Sequence, residues 1–142
     1  MAGTVVADTI QAASTSTLVL KNGVANTPPT IQDSAGTQIG TFCRAWVNFN
    51  GTTNTGGFCT IRSSFNVTTV ADNGTGDYTI NFTNALPDAN YAVSGSQGGG
   101  NNYAWRTYED ATARTSSLVR IFMVNASFSA ADPTQANIAI FR

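Results

Sequence analysis

The sequence predicts an all-β fold: an antiparallel, jelly-roll-like β-sandwich entered through an extended N-terminal arm. Three observations predict it. Charged residues make up only 11% of the 142-residue chain, less than half the ~25% usual in globular proteins, and Thr, Ser, Asn and Gly take their place. The usual material of exposed helix faces is missing, with Lys21 the one lysine and Glu109 the one glutamate. From residue 42 onward, short β-type runs follow one another at close spacing, separated by Gly-, Asn- or Asp-containing turns. That is the pattern of a sandwich or barrel.

The length suits one domain, and a chain of this size buries roughly 68–70% of its unfolded surface, enough for a core without staples. Every Phe, Trp and Tyr lies at or beyond Phe42. This divides the chain into residues 1–41, an arm, and residues 42–142, the β-sandwich domain. The arm has short apolar pieces (Val5-Val6, Ile10, Leu18-Val19-Leu20, Ile31, Ile39) between turn signals at KNG 21–23 and DSAG 33–36, with Pro28-Pro29 kinking it. Without bulky side chains it closes no core of its own. It is expected to be ordered by a partner or by symmetry mates.

The strands of the domain read in order as 44–49, 58–65, 65–71, 77–82, 91–96, 102–108, 117–125 and 136–141. In CRAWVNFNG (43–51), Cys43, Ala45, Val47 and Phe49 form a core face, and Arg44, Trp46 and Asn48 the opposite one. Pairing this run with 58–65 across the loop NGTTNTGG places Cys59, Ile61, Ser63 and Phe65 on the core face. It sets Trp46 opposite Arg62, with Arg44 nearby, as a guanidinium–indole cluster. The two cysteines then sit ~20 Å apart, too far for a disulfide, and are expected to be free thiols. DNGTG (72–76) is a hairpin loop, after which Tyr78, Ile80 and Phe82 face inward. SLVRIFMVN (117–125) is apolar on both faces except at Arg120, as a strand inside a sheet would be.

Composition excludes several functions. Net charge is −1 with the seven basic residues scattered, so no basic patch offers a nucleic-acid site. No run approaches the ~20 apolar residues of a membrane span, and the N-terminus does not read as a secretory signal. The absence of histidine removes Ser-His-Asp and Cys-His catalysis, and two cysteines without histidine make no zinc site. Glu109 and Asp110 are sequence neighbours, not an opposed catalytic pair. GGGNN (98–102) is a hairpin loop, since no Lys-Ser/Thr follows it. Neither catalysis nor a cofactor is expected.

CRAWVNFNG, followed by IRSSFNVTTVADNGTGDYTINFTNALPDANYAV (61–93), resembles a β-rich domain recurrent in tailed-bacteriophage and prophage structural proteins, tail-fibre and virion proteins among them. ADTIQAASTSTLVL is similar to the stretches that precede such domains. The resemblance is strong over roughly residues 40–96. It implies a trimeric β-structured virion component folded in the host cytosol. The chain lacks the long shaft of a typical fibre.

Three readings follow: a short trimeric tail fibre or fibre-like appendage anchored by residues 1–41, a capsid decoration (cement) protein, or a glycan-binding module. The partners they imply are copies of the chain itself, tail, baseplate or major capsid proteins, and, for the third, a host surface glycan. Thr/Asn-rich β surfaces with few charges and an arm without a core also call for a symmetric homo-oligomer, here a homotrimer. Arg44, Trp46 and Arg62 are the candidate subunit interface, the composition enriched at such surfaces. Tyr103, Trp105 and Tyr108 are candidate glycan-stacking or interface aromatics.

Overall fold

The structure, a computed structural model, describes residues 10, 20, 29–99, 104–107 and 112–142. It is all-β and antiparallel, as expected. Ten strands are described: β1 (Ile31–Gln32), β2 (Gln38–Gly40), β3 (Cys43–Thr55), β4 (Phe58–Phe65), β5 (Val67–Gly74), β6 (Asp77–Phe82), β7 (Ala92–Gly98), β8 (Ala104–Thr107), β9 (Leu118–Val124) and β10 (Gln135–Phe141).

Strands β1 and β2 form a small hairpin whose turn is the DSAG segment. The Asp33 carboxylate accepts hydrogen bonds from the amides of Ala35 and Thr37, both at 2.9 Å. Most of the arm expected over 1–41 lies outside the described residues.

The other eight strands make one sheet in the order β7-β10-β3-β4-β5-β6-β9-β8. The sandwich is thus realised as a single sheet curled nearly into a barrel. Two contacts show the curl. Phe49 on β3 and Tyr78 on β6, separated in the sheet by two strands, meet edge-on with ring centroids 5.2 Å apart. At the seam between the edge strands, Trp105 Nε1 on β8 donates to the Gly95 carbonyl on β7 at 3.0 Å. The enclosed core follows the alternation read from the sequence: Ala45, Val47 and Phe49, then Tyr78, Ile80 and Phe82, are all buried. On β9 Val119, Ile121 and Met123 turn inward. Arg120 stays on the other face in a bidentate pair with Asp77, at 2.8 and 2.5 Å.

The β3–β4 hairpin departs from expectation in two ways. The segment NGTTNTGG is not a long loop. Strand β3 continues to Thr55, which pairs with Phe58 across Gly56-Gly57, both in the left-handed region with φ of 62° and 87°. Two central residues with positive φ make the tight turn favoured by strand twist, and Gly-Gly supplies it.

The register is also different. Trp46 pairs with Phe65, not Arg62, and Asn48 with Ser63, whereas Phe49 pairs with Ile61. Arg62 is the extra residue of a β-bulge. The bulge keeps Cys59 and Ile61 inward as expected, but it turns Ser63 and Phe65 out to solvent and Ser64 in. The sequence pattern assumes an unbroken ladder, and one bulge reverses every face beyond it.

Both cysteines are free. Cys59 is buried, and burial pushes its thiol up to about 12. Cys59 should therefore resist a thiol reagent in the native protein at neutral pH, and both thiols should titrate after unfolding in denaturant. Oxidising conditions should not raise stability. Recovery of a Cys43–Cys59 disulfide from native protein would contradict the hairpin register.

Candidate functional site

The core is satisfied from inside the barrel, so the residues free for function are those on the outer face. The pairings of β4, β3, β10 and β7 set them in two parallel rows. One row runs Phe65, Trp46, Ala139, Ser94, and the next runs Ser63, Asn48, Asn137, Ser96. The first is aromatic at one end and small at the other. Trp46 is 38% and Phe65 54% exposed, and the indole stands as a wall beside Ala139 and Ser94. The second row is a polar ladder: the Asn48 amide donates to the Asn137 side-chain carbonyl, and Asn137 Nδ2 donates to Ser96 Oγ at 3.3 Å.

Between wall and ladder lies a groove of about 310 Å³, whose floor includes Gly95 and Ile138. No charged residue lines it. An uncharged groove with an indole wall and amide groups can hold an apolar side chain or the face of a neutral ring, and offers nothing for acid–base chemistry.

Arg62 is not stacked on Trp46. The bulge frees the Phe49 carbonyl, and Arg62 Nη1 donates to it at 3.0 Å while Nη2 donates to the Thr134 carbonyl at 2.5 Å. Arg62 therefore ties β4 to β3 and to the chain entering β10. Arg44 is half-buried in a second cleft, of about 270 Å³, with Thr30, Gln38 and Thr41 from the arm region and Pro87 and Arg142 from the barrel. The expected Arg44–Trp46–Arg62 cluster is thus dispersed, and only Trp46 remains on the open face. Its partner there is Phe65, which sequence alternation had placed in the core. The exposed Phe65 was legible only through the bulge, which no residue type announces.

Trp105 is half-buried at the barrel seam, with its one donor taken by Gly95. A methyl on Gly95 would stand 2.9 Å from the indole Cε2, so the indole is packed directly on the β7 backbone. Trp105 closes the fold at the seam between β7 and β8. Tyr103 and Tyr108 lie outside the described residues, as do Glu109 and Asp110.

The perturbed titrating groups stand apart from the groove. Burial raises the Tyr78 hydroxyl well above its ordinary range, reinforced by Asp132, and burial raises Tyr91 to about 12. At the far end of the barrel the Arg142 guanidinium, hydrogen-bonded to Asp88 at 2.8 and 2.6 Å, lowers that exposed carboxylate to about 2. These groups serve the fold. Among the described residues no group of three or more Cys, Asp or Glu is placed to hold a metal ion, and no helix is long and apolar enough to cross a membrane.

No protein-family model and no curated protein matches the chain. Among solved structures it is similar to the phiAB6 tailspike, determined in complex with three-repeated oligosaccharides of Acinetobacter baumannii surface polysaccharide. The two share 12% sequence identity with a TM-score of 0.45, over 89% of this chain and 30% of the tailspike chain. The chain thus spans less than a third of that protein's length.

Proposed function

We propose that this chain is a structural component of a tailed-bacteriophage virion, a short trimeric fibre-like appendage of the tail. The reading starts from the resemblance of CRAWVNFNG and residues 61–93 to phage structural proteins. One structural observation carries it further. That same stretch builds strands β3 to β6 and, on the outside of an already filled barrel, displays the adjacent aromatics Trp46 and Phe65. Exposed neighbouring aromatics in an uncharged setting have the composition of an interface core, not of an ordinary monomer surface.

In this reading three copies associate in the host cytosol through that face, and residues 1–41 attach the trimer to a tail or baseplate protein. Light scattering of the purified chain should then give three times the 14.8 kDa protomer mass. Capsid decoration uses the same parts, with the arm on the major capsid protein. A cryo-EM map of the virion separates the two: a few dozen copies at the tail support the appendage, hundreds on the capsid lattice support decoration, and absence from the particle overturns both. A glycan-binding role is favoured by one observation of its own, the indole wall and amide ladder of the groove. It moves the candidate sugar platform from Trp105 to Trp46.

The arm boundary has a direct test. The β1–β2 hairpin leaves Ile31 and Ile39 exposed, and the core is drawn from β3 onward. Deleting residues 1–40 should leave a folded, cooperatively melting β domain that no longer enters virions. Loss of folding on deletion would put the arm inside the core and move the boundary.

A further inference from the structure

At the end of the barrel, the loop between β9 and β10 holds another exposed aromatic in an unusual way. Phe128 is 83% exposed, the most exposed of the large apolar residues described, and its φ is 59°. A left-handed conformation is unfavourable for a bulky L-residue. The loop nevertheless holds it there firmly. The Asn125 side-chain oxygen accepts from the amides of Ser127 (2.9 Å) and Ser129 (3.1 Å). Asn125 also bonds Ser129 through the backbone at 2.9 Å, its carbonyl accepts from Phe128 at 2.9 Å, and a bridge joins Val124 to Ala130. Among the described residues Phe128 joins no core cluster, and a pre-organised turn holds its ring out in water. Strain of this kind, held by surrounding hydrogen bonds, marks a group set up for contact.

We propose that Phe128 of one copy inserts into the groove beside Trp46 of a second copy, so that the subunit contact is head-to-tail. This rests on the homotrimer reading and specifies its contact. Knob and groove suit each other in three respects. Both are uncharged, since residues 125–131 are Asn, Ala, Ser, Phe, Ser, Ala and Ala and the groove lining carries no charge, so closure strands no ion. A groove of about 310 Å³ admits one phenyl ring, with the Trp46 indole as its aromatic partner and Ala139 and Ser94 as the small residues that leave room. Phe128 is not among the residues lining its own subunit's groove, and it stays exposed in the isolated chain. Knob and hole are different patches of one surface. Such a contact is heterologous, and a heterologous contact whose rotation closes after three copies makes a trimeric ring.

Two variants test it by sedimentation. Phe128→Asn removes the ring but suits the left-handed turn better than Phe, so the subunit should fold and melt no lower than wild type. Ser94→Tyr fills the groove from an exposed edge-strand position. Each variant alone should be monomeric where wild type is trimeric, with the dissociation midpoint moved by at least ~30-fold. Mixed at high concentration, the two should form a 1:1 heterodimer and nothing larger, because one intact groove meets one intact knob. A Phe128→Asn protein as trimeric as wild type, or a mixture that stays monomeric, overturns the knob-in-groove contact while leaving the trimer standing. A monomeric wild type overturns the trimer itself, and this contact with it.

Discussion

Gly51→Ala should destabilise the barrel by about 3 kcal/mol, combining overpacking of the core with loss of buried hydrogen bonds, and lower Tm by about 10 °C. The cause is a single crowded point. A methyl at Gly51 would stand 2.5 Å from the Tyr78 hydroxyl oxygen and 3.0 Å from the Pro133 carbonyl. Neither can yield. Tyr78 and Pro133 are fully buried, Phe49 braces the tyrosine ring edge-on, and the tyrosine hydroxyl lies 2.6 Å from Asp132 Oδ1 and 3.1 Å from the Gly51 carbonyl. The Gly51 amide donates to Pro133 at 2.9 Å, and the Gly76 amide to Asp132 at 2.6 Å. Together these bonds tie β3, the β5–β6 turn and the approach to β10 into one lock.

Tyr78→Phe removes the obstructing oxygen at a loss of ~1 kcal/mol for its hydrogen bonding. The double variant Gly51→Ala/Tyr78→Phe should therefore be less destabilised than the sum of the two single variants, a non-additivity that denaturant titration reads directly. Strict additivity, or a Gly51→Ala protein as stable as wild type, would mean that the lock does not hold the ring.

In the proposed trimer, Trp46→Ala should weaken subunit association by ~2 kcal/mol or more, the loss typical of a tryptophan anchor. On dilution the trimer should dissociate at concentrations where wild type remains assembled. Folding of the subunit should be little affected, because Trp46 is 38% exposed and outside the core. The opposite pattern is equally readable: a melting temperature lowered alike at every concentration, with the trimer intact, would assign the indole to the subunit's own fold.

Much of the fold was legible in the chain itself. Wherever a strand alternates without interruption, the period of two settles which residues are inside. Tyr78, Ile80 and Phe82 turned inward as the alternation required, and the turn residues at 33–36 and 72–76 bent the chain. Those features are local, and local sterics and burial decide them.

The candidate site was not local. Its two rows draw on β4, β3, β10 and β7, whose order in the sheet depends on which edges pair after the chain has turned back several times. Trp46 could be placed on an outer face from the sequence, but its neighbours could not. A bulge at Arg62 exchanged an arginine for Phe65 beside it, and β10, nearly ninety residues on, supplied Ala139 and Asn137. Trp105, an apparent surface aromatic, was drawn into the seam because only the curl of the sheet brings β8 against Gly95 of β7. Sequence alternation determined which side of each strand meets the core. The closure of the sheet decided which outward side chains meet one another, because that is set by long-range pairing and curvature, which no short stretch of residues contains.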